Sequence, residues 1–411
     1  MDGVSEAVAQ VYTAEWSRIV ASLIRFTGDW DLAEECAQDA FAQALTSWPT
    51  DGIPQRPGAW VTTTARNRAL DRLRRAGVEA AKLRGLALVA DRAPEQPPPG
   101  GDIPDERLEL IFTCCHPALA VPEQVALTLR YLCGLRTAEI ARALLLPEKT
   151  LAQRLTRAKS RIRGAGIPFR VPPGHALVER TPAVLAVLYL IFNEGYATTR
   201  GPDPVRPDLG AEAIRLARLT AGLMPDEPEA LGLLALMLLH DARREARFDP
   251  AGDLVTLPDQ DRSRFDAEQI AEGLTLLDRA LRRRRPGPYQ VQAAIAACHA
   301  SASDADSTDW PQIALLYEQL TRIAGTPVVE LNRAVAVSMA DGPEAGLALV
   351  EALVATGTLS GYHLLAATRA DLLRRLGRMQ EALACYAEAL DLATAEADRR
   401  FLVRRMAEVA G

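Results

Sequence analysis

Apolar residues recur three and four positions apart along almost the whole chain. In residues 31–48, small and aromatic residues return at this spacing, and the positions between them are largely polar. The period matches the turn of an α-helix, while the strict alternation of a half-buried strand is nearly absent. The pattern therefore predicts an all-α fold, with two small helical domains followed by a larger helical region.

Proline and glycine interrupt the pattern and suggest domain boundaries. The segment 92–105 holds five prolines and two glycines, and a second break covers 164–174. Proline disrupts helix interiors, so a segment with five prolines is expected to be an extended linker. The predicted parts are a first domain at 5–90, a linker at 91–106, a second domain at 107–165 and a helical region at 175–411.

The composition is that of a globular protein in a reducing compartment. The chain has 411 residues, of which 48% are hydrophobic and 24% charged. No apolar run reaches the ~18 residues of a membrane span. The first ten residues carry two acids and no base, unlike a signal peptide, and the six cysteines form no C-x-x-C pair. We therefore expect a cytoplasmic protein with no membrane contact.

Charge is distributed unevenly along an acidic chain whose net charge is −6. Residues 56–92 hold nine basic and three acidic residues, and residues 147–170 hold seven and one, so each segment carries a net charge of +6. Two compact basic segments within an acidic protein indicate contact with a polyanion.

The helix predicted over Asp31–Trp48 has an acidic face opposite its apolar stripe. This face carries Glu34, Glu35, Gln38 and Asp39. It is interpreted either as a solvated surface or as a docking surface for a basic partner.

The next helix, predicted over Pro57–Arg75, is basic. Arg68, Arg72 and Arg75 line up on one face, and Trp60 stands in the first turn. Guanidinium groups pair with phosphates and an aromatic ring stacks on an exposed base, so this face is typical of nucleic-acid binding. The alternative is an arginine-rich surface without a ligand.

The second basic segment has the spacing of a helix-turn-helix. A helix is predicted over Pro122–Cys133, a short one over Ala138–Leu144 capped by Thr137, and a third from Pro147 to about Arg163. The third presents polar and basic side chains outward, as a helix in a DNA major groove does. These are Lys149, Thr150, Gln153, Arg154, Arg157 and Arg161. A plain helical hairpin with a charged face is the alternative.

The large C-terminal region contains a loose repeat. Segments that begin near Pro288, Thr326 and Gly361 each hold two predicted helices. Residues 366–390 resemble a tetratricopeptide repeat, with small residues where paired helices approach and Tyr386 between the pairs. The resemblance implies a helical solenoid that binds a protein or peptide partner, or one that clamps the first two domains.

The two basic helices, taken together with the acidic one, resemble one family. The segments DLAEECAQDAFAQALTSWP and RPGAWVTTTARNRALDRLRR are similar to region 2 of sigma-70 family initiation factors. The segment VALTLRYLCGLRTAEIARALLLPEKTLAQRLTRAKSRIR is similar to region 4. With only these two regions the chain resembles the extracytoplasmic-function group, and LYLIFNEGYA resembles its subgroup with a long C-terminal helical extension.

The resemblance implies a sigma factor that binds core RNA polymerase, through the β′ clamp helices and the β flap, and promoter DNA. Polymerase docking would fall to Glu34, Glu35, Gln38, Asp39 and Phe41. Recognition and opening of the −10 element would fall to Trp60, Arg66, Asn67, Arg68, Asp71, Arg72 and Arg75. Reading of the −35 element would fall to Lys149, Thr150, Gln153, Arg154, Arg157 and Arg161.

Other chemistry is not indicated. Adjacent Cys114 and Cys115 suit a helix core better than a metal ion, and neither a phosphate-binding loop nor a catalytic constellation is evident. We therefore predict a non-enzyme without cofactor or metal. The competing interpretations are a solenoid scaffold and a stand-alone helix-turn-helix regulator; the acidic face distinguishes the latter, because a repressor does not need it.

Overall fold

The computed structural model describes residues 2–84, 106–144, 146–196, 207–249 and 253–410. Within these ranges every regular element is helical, apart from a lone bridge between Phe248 and Leu254. The all-α prediction is therefore confirmed. The predicted linker, 91–106, lies outside the described residues except for Glu106. None of the described helices is both long and apolar enough to cross a membrane.

The chain divides into two compact units, residues 1–187 and residues 188–411. The described helices of the first unit are α1 (Asp2–Thr27), α2 (Trp30–Asp51), α3 (Pro57–Arg84), α4 (Glu106–Cys114), α5 (Val121–Leu127), α6 (Thr137–Ala143), α7 (Glu148–Gly164) and the first part of α8 (Gly174–Tyr196).

Helices α1, α2 and α3 pack on one another. Helix α2 begins where the Asp29 carboxylate accepts hydrogen bonds from the backbone N–H groups of Asp31 (2.9 Å) and Leu32 (3.1 Å). Its whole predicted apolar stripe is buried, from Ala33 to Trp48. The helical period therefore identified the inner face of α2 correctly.

The helix predicted over Pro122–Cys133 differs from the structure. The regular helix α5 ends at Leu127, and one wider turn of π-helix follows over Thr128–Leu132. Thr137 is not the cap of α6, as the sequence suggested, but its first residue. The backbone N–H of Arg136 donates to the Glu139 carboxylate over 2.7 Å, so the side chain three residues ahead closes the helix start.

The second unit contains the end of α8 and a succession of further helices. These are α9 (Pro207–Leu223), α10 (Pro228–Asp241), α11 (Ala267–Leu281), α12 (Pro288–Ser301), α13 (Trp310–Ala324), α14 (Pro327–Ala340), α15 (Pro343–Thr356), α16 (His363–Arg375), α17 (Met379–Leu392) and α18 (Glu396–Ala410).

Helix α10 is buried on almost all sides, because α9, α11 and α12 pack around it. From α12 onward each helix packs on the next. The helix pairs α12–α13, α14–α15 and α16–α17 begin within two residues of the expected repeat starts Pro288, Thr326 and Gly361. Tyr386 is fully buried, as a residue that fills the space between helix pairs should be.

Helices α14 and α15 approach closely because Gly346 has no side chain. A Cβ atom on Gly346 would lie 2.3 Å from the Ser338 Cβ and 2.9 Å from the Ala334 carbonyl oxygen. We expect Gly346→Ala to lower the free energy of unfolding by about 1–3 kcal/mol, because the helices must move apart. Gly222→Ala is the control, since Gly222 is exposed in α9 with no atom near its Cβ position. It should be neutral or stabilising by up to ~1 kcal/mol. Equal urea midpoints for the two variants would contradict the close approach.

Candidate nucleic-acid and protein interfaces

Helix α7 holds its polar face outward by burying the opposite one. Leu151, Leu155, Ala158 and Ile162 are all buried, as the apolar spacing predicts. Helices α5 and α6 pack against this side. The burial of this stripe therefore sets the direction of the outward face.

The outward side chains of α7 are open to solvent. Lys149, Thr150, Gln153, Arg157 and Arg161 are exposed, and Arg154 is half-buried. Arg161 donates to the Glu123 carboxylate over 3.0 Å. In the described part of the chain the other five side chains make no hydrogen bond or ion pair, so they are free to contact base edges and phosphates.

The turn between α5 and α6 requires glycine on two grounds. Gly134 has φ +74°, a conformation that residues with a side chain rarely adopt. A Cβ there would also lie 2.8 Å from the Trp16 ring. Its carbonyl oxygen accepts a hydrogen bond from the Tyr12 hydroxyl over 2.6 Å, and burial raises the pKa of Tyr12 to about 12. The helix-turn-helix is therefore seated directly on α1.

The acidic residues of α2 are engaged with the arginines of α3. Asp39 accepts hydrogen bonds from Arg68 (3.3 Å) and Arg72 (2.8 Å), and Arg72 also pairs with Glu35. The bond to Glu35 raises the pKa of Arg72. The sequence suggested an independent acidic face and an independent basic face, whereas here they are partly neutralised by each other.

Glu34 is engaged in a different way. It forms an ion pair with Arg130, which follows it by 96 residues in the chain, and the two side chains are only 12% and 13% exposed. Gln38 donates to the same carboxylate over 3.0 Å. Phe41 is buried against Tyr12 and Trp16, so it supports the α2 surface from beneath.

Further contacts join the α1–α3 group to the α4–α7 group. Lys159 of α7 pairs with Asp31, and Arg25 of α1 lies 3.6 Å from the buried carboxylate of Glu109. Burial raises the pKa of Glu109. The rings of Trp30 and Tyr131 meet edge to face, with centroids 4.8 Å apart. The two groups therefore share an interface that includes part of the acidic face of α2.

Sequence reasoning missed the residues of this interface. Arg130 stands alone among apolar residues of a buried segment, and Lys159 lies in α7 beside the residues assigned to DNA. A single charged residue among buried apolar residues indicates that it needs a partner of opposite charge. The position of Arg130 in the sequence does not identify Glu34 as that partner.

The residues assigned to the −10 element occupy one length of α3. Trp60 is half-buried and packs edge to face on Trp48, with centroids 5.6 Å apart. The Arg66 guanidinium lies 5.4 Å from the Phe26 ring centroid. The exposed members of the set are Arg66, Asn67, Asp71 and Arg75. Arg68 and Arg72, by contrast, are the arginines paired with α2.

The two adjacent cysteines lie in the core, as expected. Cys114 and Cys115 are fully buried, and burial raises the pKa of Cys115 to about 12 despite its contact with the Thr128 hydroxyl. No group of three or more potential metal ligands occurs among the described residues.

Three parts of the chain match families of known proteins. Residues 11–78 match the family model of sigma-70 region 2, residues 109–162 match that of sigma-70 region 4, and residues 180–281 match a family of unknown function, DUF6596. The chain is also 46% identical, over 387 residues, to a protein of Rhizobium meliloti (strain 1021) described as uncharacterized. That match covers 93% of this chain and 91% of the relative. No solved structure matches the chain.

The region 2 match covers most of α1, all of α2 and the part of α3 that carries the basic face. The region 4 match covers most of α4 to α7, including the open polar face of α7. Region 2 and region 4 together imply binding to core RNA polymerase and to promoter DNA. The chain therefore carries region 2 and region 4 of the sigma-70 family, whose members are transcription initiation factors and not enzymes.

Proposed function

We propose that the chain is a cytoplasmic sigma factor of the extracytoplasmic-function type, with a tetratricopeptide-like C-terminal region that modulates its activity. The observation that carries this proposal is the open polar face of α7 in a unit that also holds region 2. With regions 2 and 4 joined by the short segment 79–108 between the two matches, the chain has the two promoter-contacting parts of this group and a long extension.

In this proposal α7 reads the −35 element. Its outward residues Lys149, Gln153 and Arg157 stand in successive turns of the helix, which is the arrangement that follows base edges along a major groove. Arg161, bound to Glu123, is near the helix end and contacts phosphate.

The exposed part of α3 holds the −10 element. Arg66 and Arg75 are exposed cations that hold the strand backbone, and Asn67 offers hydrogen bonds to a base edge. Trp60 is half-buried, and the accessible part of its side chain contacts an unpaired base. Arg68 and Arg72 act from behind this surface while paired with α2, or contact DNA after those pairs open.

Polymerase docking uses the α2 face, with Glu35, Gln38 and Asp39 as its accessible members and Phe41 as its support. Because Glu34 is paired with Arg130, the full face becomes available only when the α4–α7 group separates from α2. A partner with basic groups then takes the place of Arg130 beside Glu34. Because one ion pair replaces another, the Glu34 carboxylate is not left without a cation.

The C-terminal region supports regulation by its architecture. Its successive helix pairs form the kind of extended helical array that binds a protein or peptide. Ala370, Ala382 and Ala389 are fully buried beside Tyr386, which fits the small and large positions of a tetratricopeptide repeat. We propose that a protein or peptide partner on this surface sets the activity of the sigma factor.

Docking is tested by reversing one charge on the accessible face. The Glu35 side chain is 60% exposed, and Glu35→Lys places a cation where a basic partner is expected. We expect its affinity for purified core RNA polymerase to fall at least about tenfold, because like charges then meet at the interface.

Glu6→Lys is the matched control, since Glu6 is an exposed acid of α1 outside the α2 face and its replacement changes the net charge equally. It should bind core polymerase as the unaltered chain does. Equal affinities of all three proteins, measured by fluorescence anisotropy, would remove Glu35 from the docking surface.

A further inference from the structure

The last helix of the C-terminal unit, α18, is contacted by a segment from much earlier in the chain. Asp253 accepts hydrogen bonds from Arg400 over 2.5 Å and from Arg404 over 2.8 Å. Arg404 also donates to the backbone carbonyl oxygen of Leu254 over 3.3 Å, although 150 residues separate the two in sequence. We call residues 253–260 the crossing segment.

The crossing segment also reaches the end of α14. Leu257 and Pro258 line a cavity that is open to solvent, and Met339 of α14 lines the same cavity. Pro258 follows Asp253 by five residues, and a chain of that length spans at most about 18 Å. Helices α14 and α18 therefore border one groove, and the crossing segment lies in it.

Both helices turn an exposed face to solvent along the side that the crossing segment contacts. On α14 the exposed residues stand four, three and four positions apart and so share one face; they are Val328, Asn332, Val335 and Met339. On α18 the exposed residues of one face are Arg400, Val403 and Arg404. One face is largely apolar and the other carries two cations. Grooves of this kind are the binding surfaces of helical arrays.

The crossing segment is held to α18 by weak contacts. In its two ion pairs the side chains of Arg400, Arg404 and Asp253 are 42%, 45% and 23% exposed. Exposed ion pairs contribute little to stability, because water screens them. Within the segment Gln260 is the one buried residue, and its amide donates to the Val255 carbonyl oxygen over 3.2 Å. The segment therefore supports its own shape and leaves α18 at low cost.

Most of the negative charge near these arginines belongs to the crossing segment and the residue that anchors it. Asp249 and Glu396 contribute to the electrostatic field at Arg400 in addition to Asp253. Two hydrogen bonds join the backbones and side chains of Asp249 and Asp253, over 3.0 and 2.8 Å, so both acids leave together. Of these three acids only Glu396 then remains for two arginines. The vacated face of α18 therefore favours an acidic partner.

We propose that the groove between α14 and α18 binds an extended acidic segment of a partner protein, and that the crossing segment occupies this groove in the free chain. A carboxylate of the partner takes the place of Asp253 between Arg400 and Arg404, and the apolar residues beside it contact the exposed face of α14. The partner and the crossing segment exclude each other. The proposal rests on the regulatory role proposed above for the C-terminal region and names the class of partner.

A labelled peptide with the sequence of the crossing segment, DLVTLPDQ, is the probe. Fluorescence anisotropy measures its dissociation constant from the full-length chain and from Asp253→Lys, whose added cation is repelled by Arg400 and Arg404. We expect Asp253→Lys to bind the peptide at least about tenfold more tightly, because the attached segment no longer competes at a high effective concentration. The same peptide with asparagine as its first residue should bind at least about tenfold more weakly.

Two further variants locate the binding on α18. Asp253→Lys/Arg404→Gln should lose most of the affinity gained in Asp253→Lys. Asp253→Lys/Arg405→Gln should keep it, since Arg405 belongs to the same helix but pairs with Glu408 over 2.7 Å. In the unaltered chain, millimolar peptide should speed hydrogen exchange of the backbone amides of residues 253–260. This last measurement tests the displacement even if Asp253→Lys perturbs the fold.

The assay contains neither polymerase nor DNA, so failure of this proposal is distinguishable from failure of the sigma-factor role. The proposal is overturned if the peptide binds neither chain at millimolar concentration, or binds both equally. It is also overturned if the asparagine peptide binds as well as the probe, or if the peptide leaves the exchange of residues 253–260 unchanged.

Discussion

Replacing Lys149, Gln153 and Arg157 together by alanine is expected to lower promoter-specific transcription at least about a hundredfold. Each side chain is exposed on α7 and makes no hydrogen bond or ion pair within the described residues, so its loss mainly removes a contact to DNA. One base-edge contact contributes about 1–3 kcal/mol, and three at the lower limit amount to about two orders of magnitude in affinity. Transcript yield in a reconstituted reaction measures the effect.

The control for this variant lies on the same helix. Thr156, Ser160 and Arg163 are also exposed on α7 but do not belong to the outward reading set. Their triple replacement by alanine changes the helix surface to a similar extent and should retain most transcription. Similar losses in both triple variants, with unchanged circular dichroism, would mean that α7 contributes only general charge and does not read the promoter.

Arg130→Ala is expected to destabilise the N-terminal unit by about 3–5 kcal/mol. The variant leaves the Glu34 carboxylate, which is only 12% exposed, without its cation. It also removes the hydrogen bond that Arg130 donates to the Leu135 carbonyl oxygen over 2.8 Å. Hydrogen exchange of backbone amides in α2 and α5 reports the change in the unit itself, independently of the C-terminal helices.

A solvent-exposed ion pair provides the control for Arg130→Ala. Arg136 also pairs with a carboxylate, that of Glu139, but its side chain is 78% exposed. Arg136→Ala should therefore leave the free energy of unfolding nearly unchanged, because water screens this ion pair. In the double variant Glu34→Gln/Arg130→Gln no charge is left unpaired, so much of the stability lost in Arg130→Ala should return. Equal protection of the amides in Arg130→Ala and in Arg136→Ala would contradict the buried ion pair.

Local pattern was sufficient to predict the all-helical fold and the buried faces of α2 and α7. In α7 the spacing of Leu151, Leu155 and Ala158 determined which side is buried, and hence which side chains face outward. The same period located the helix pairs of the C-terminal unit, because each pair must bury one stripe of apolar residues.

Ion pairs between residues that are far apart in the sequence could not be predicted from this pattern. Helical period shows that Glu34 lies away from the core of its own helix group, but not that Arg130 covers it. The same limit applies to Asp39, which the pattern assigned to an open acidic face and which the structure joins to Arg68 and Arg72.

We propose that this chain directs core RNA polymerase to promoters. The most direct test is run-off transcription, with purified core polymerase and the full-length chain on fragmented genomic DNA of the source organism. We expect discrete transcripts that require the chain and that share upstream sequence elements at −35 and −10. Absence of any chain-dependent transcript, together with no binding of the chain to core polymerase, would contradict this proposal.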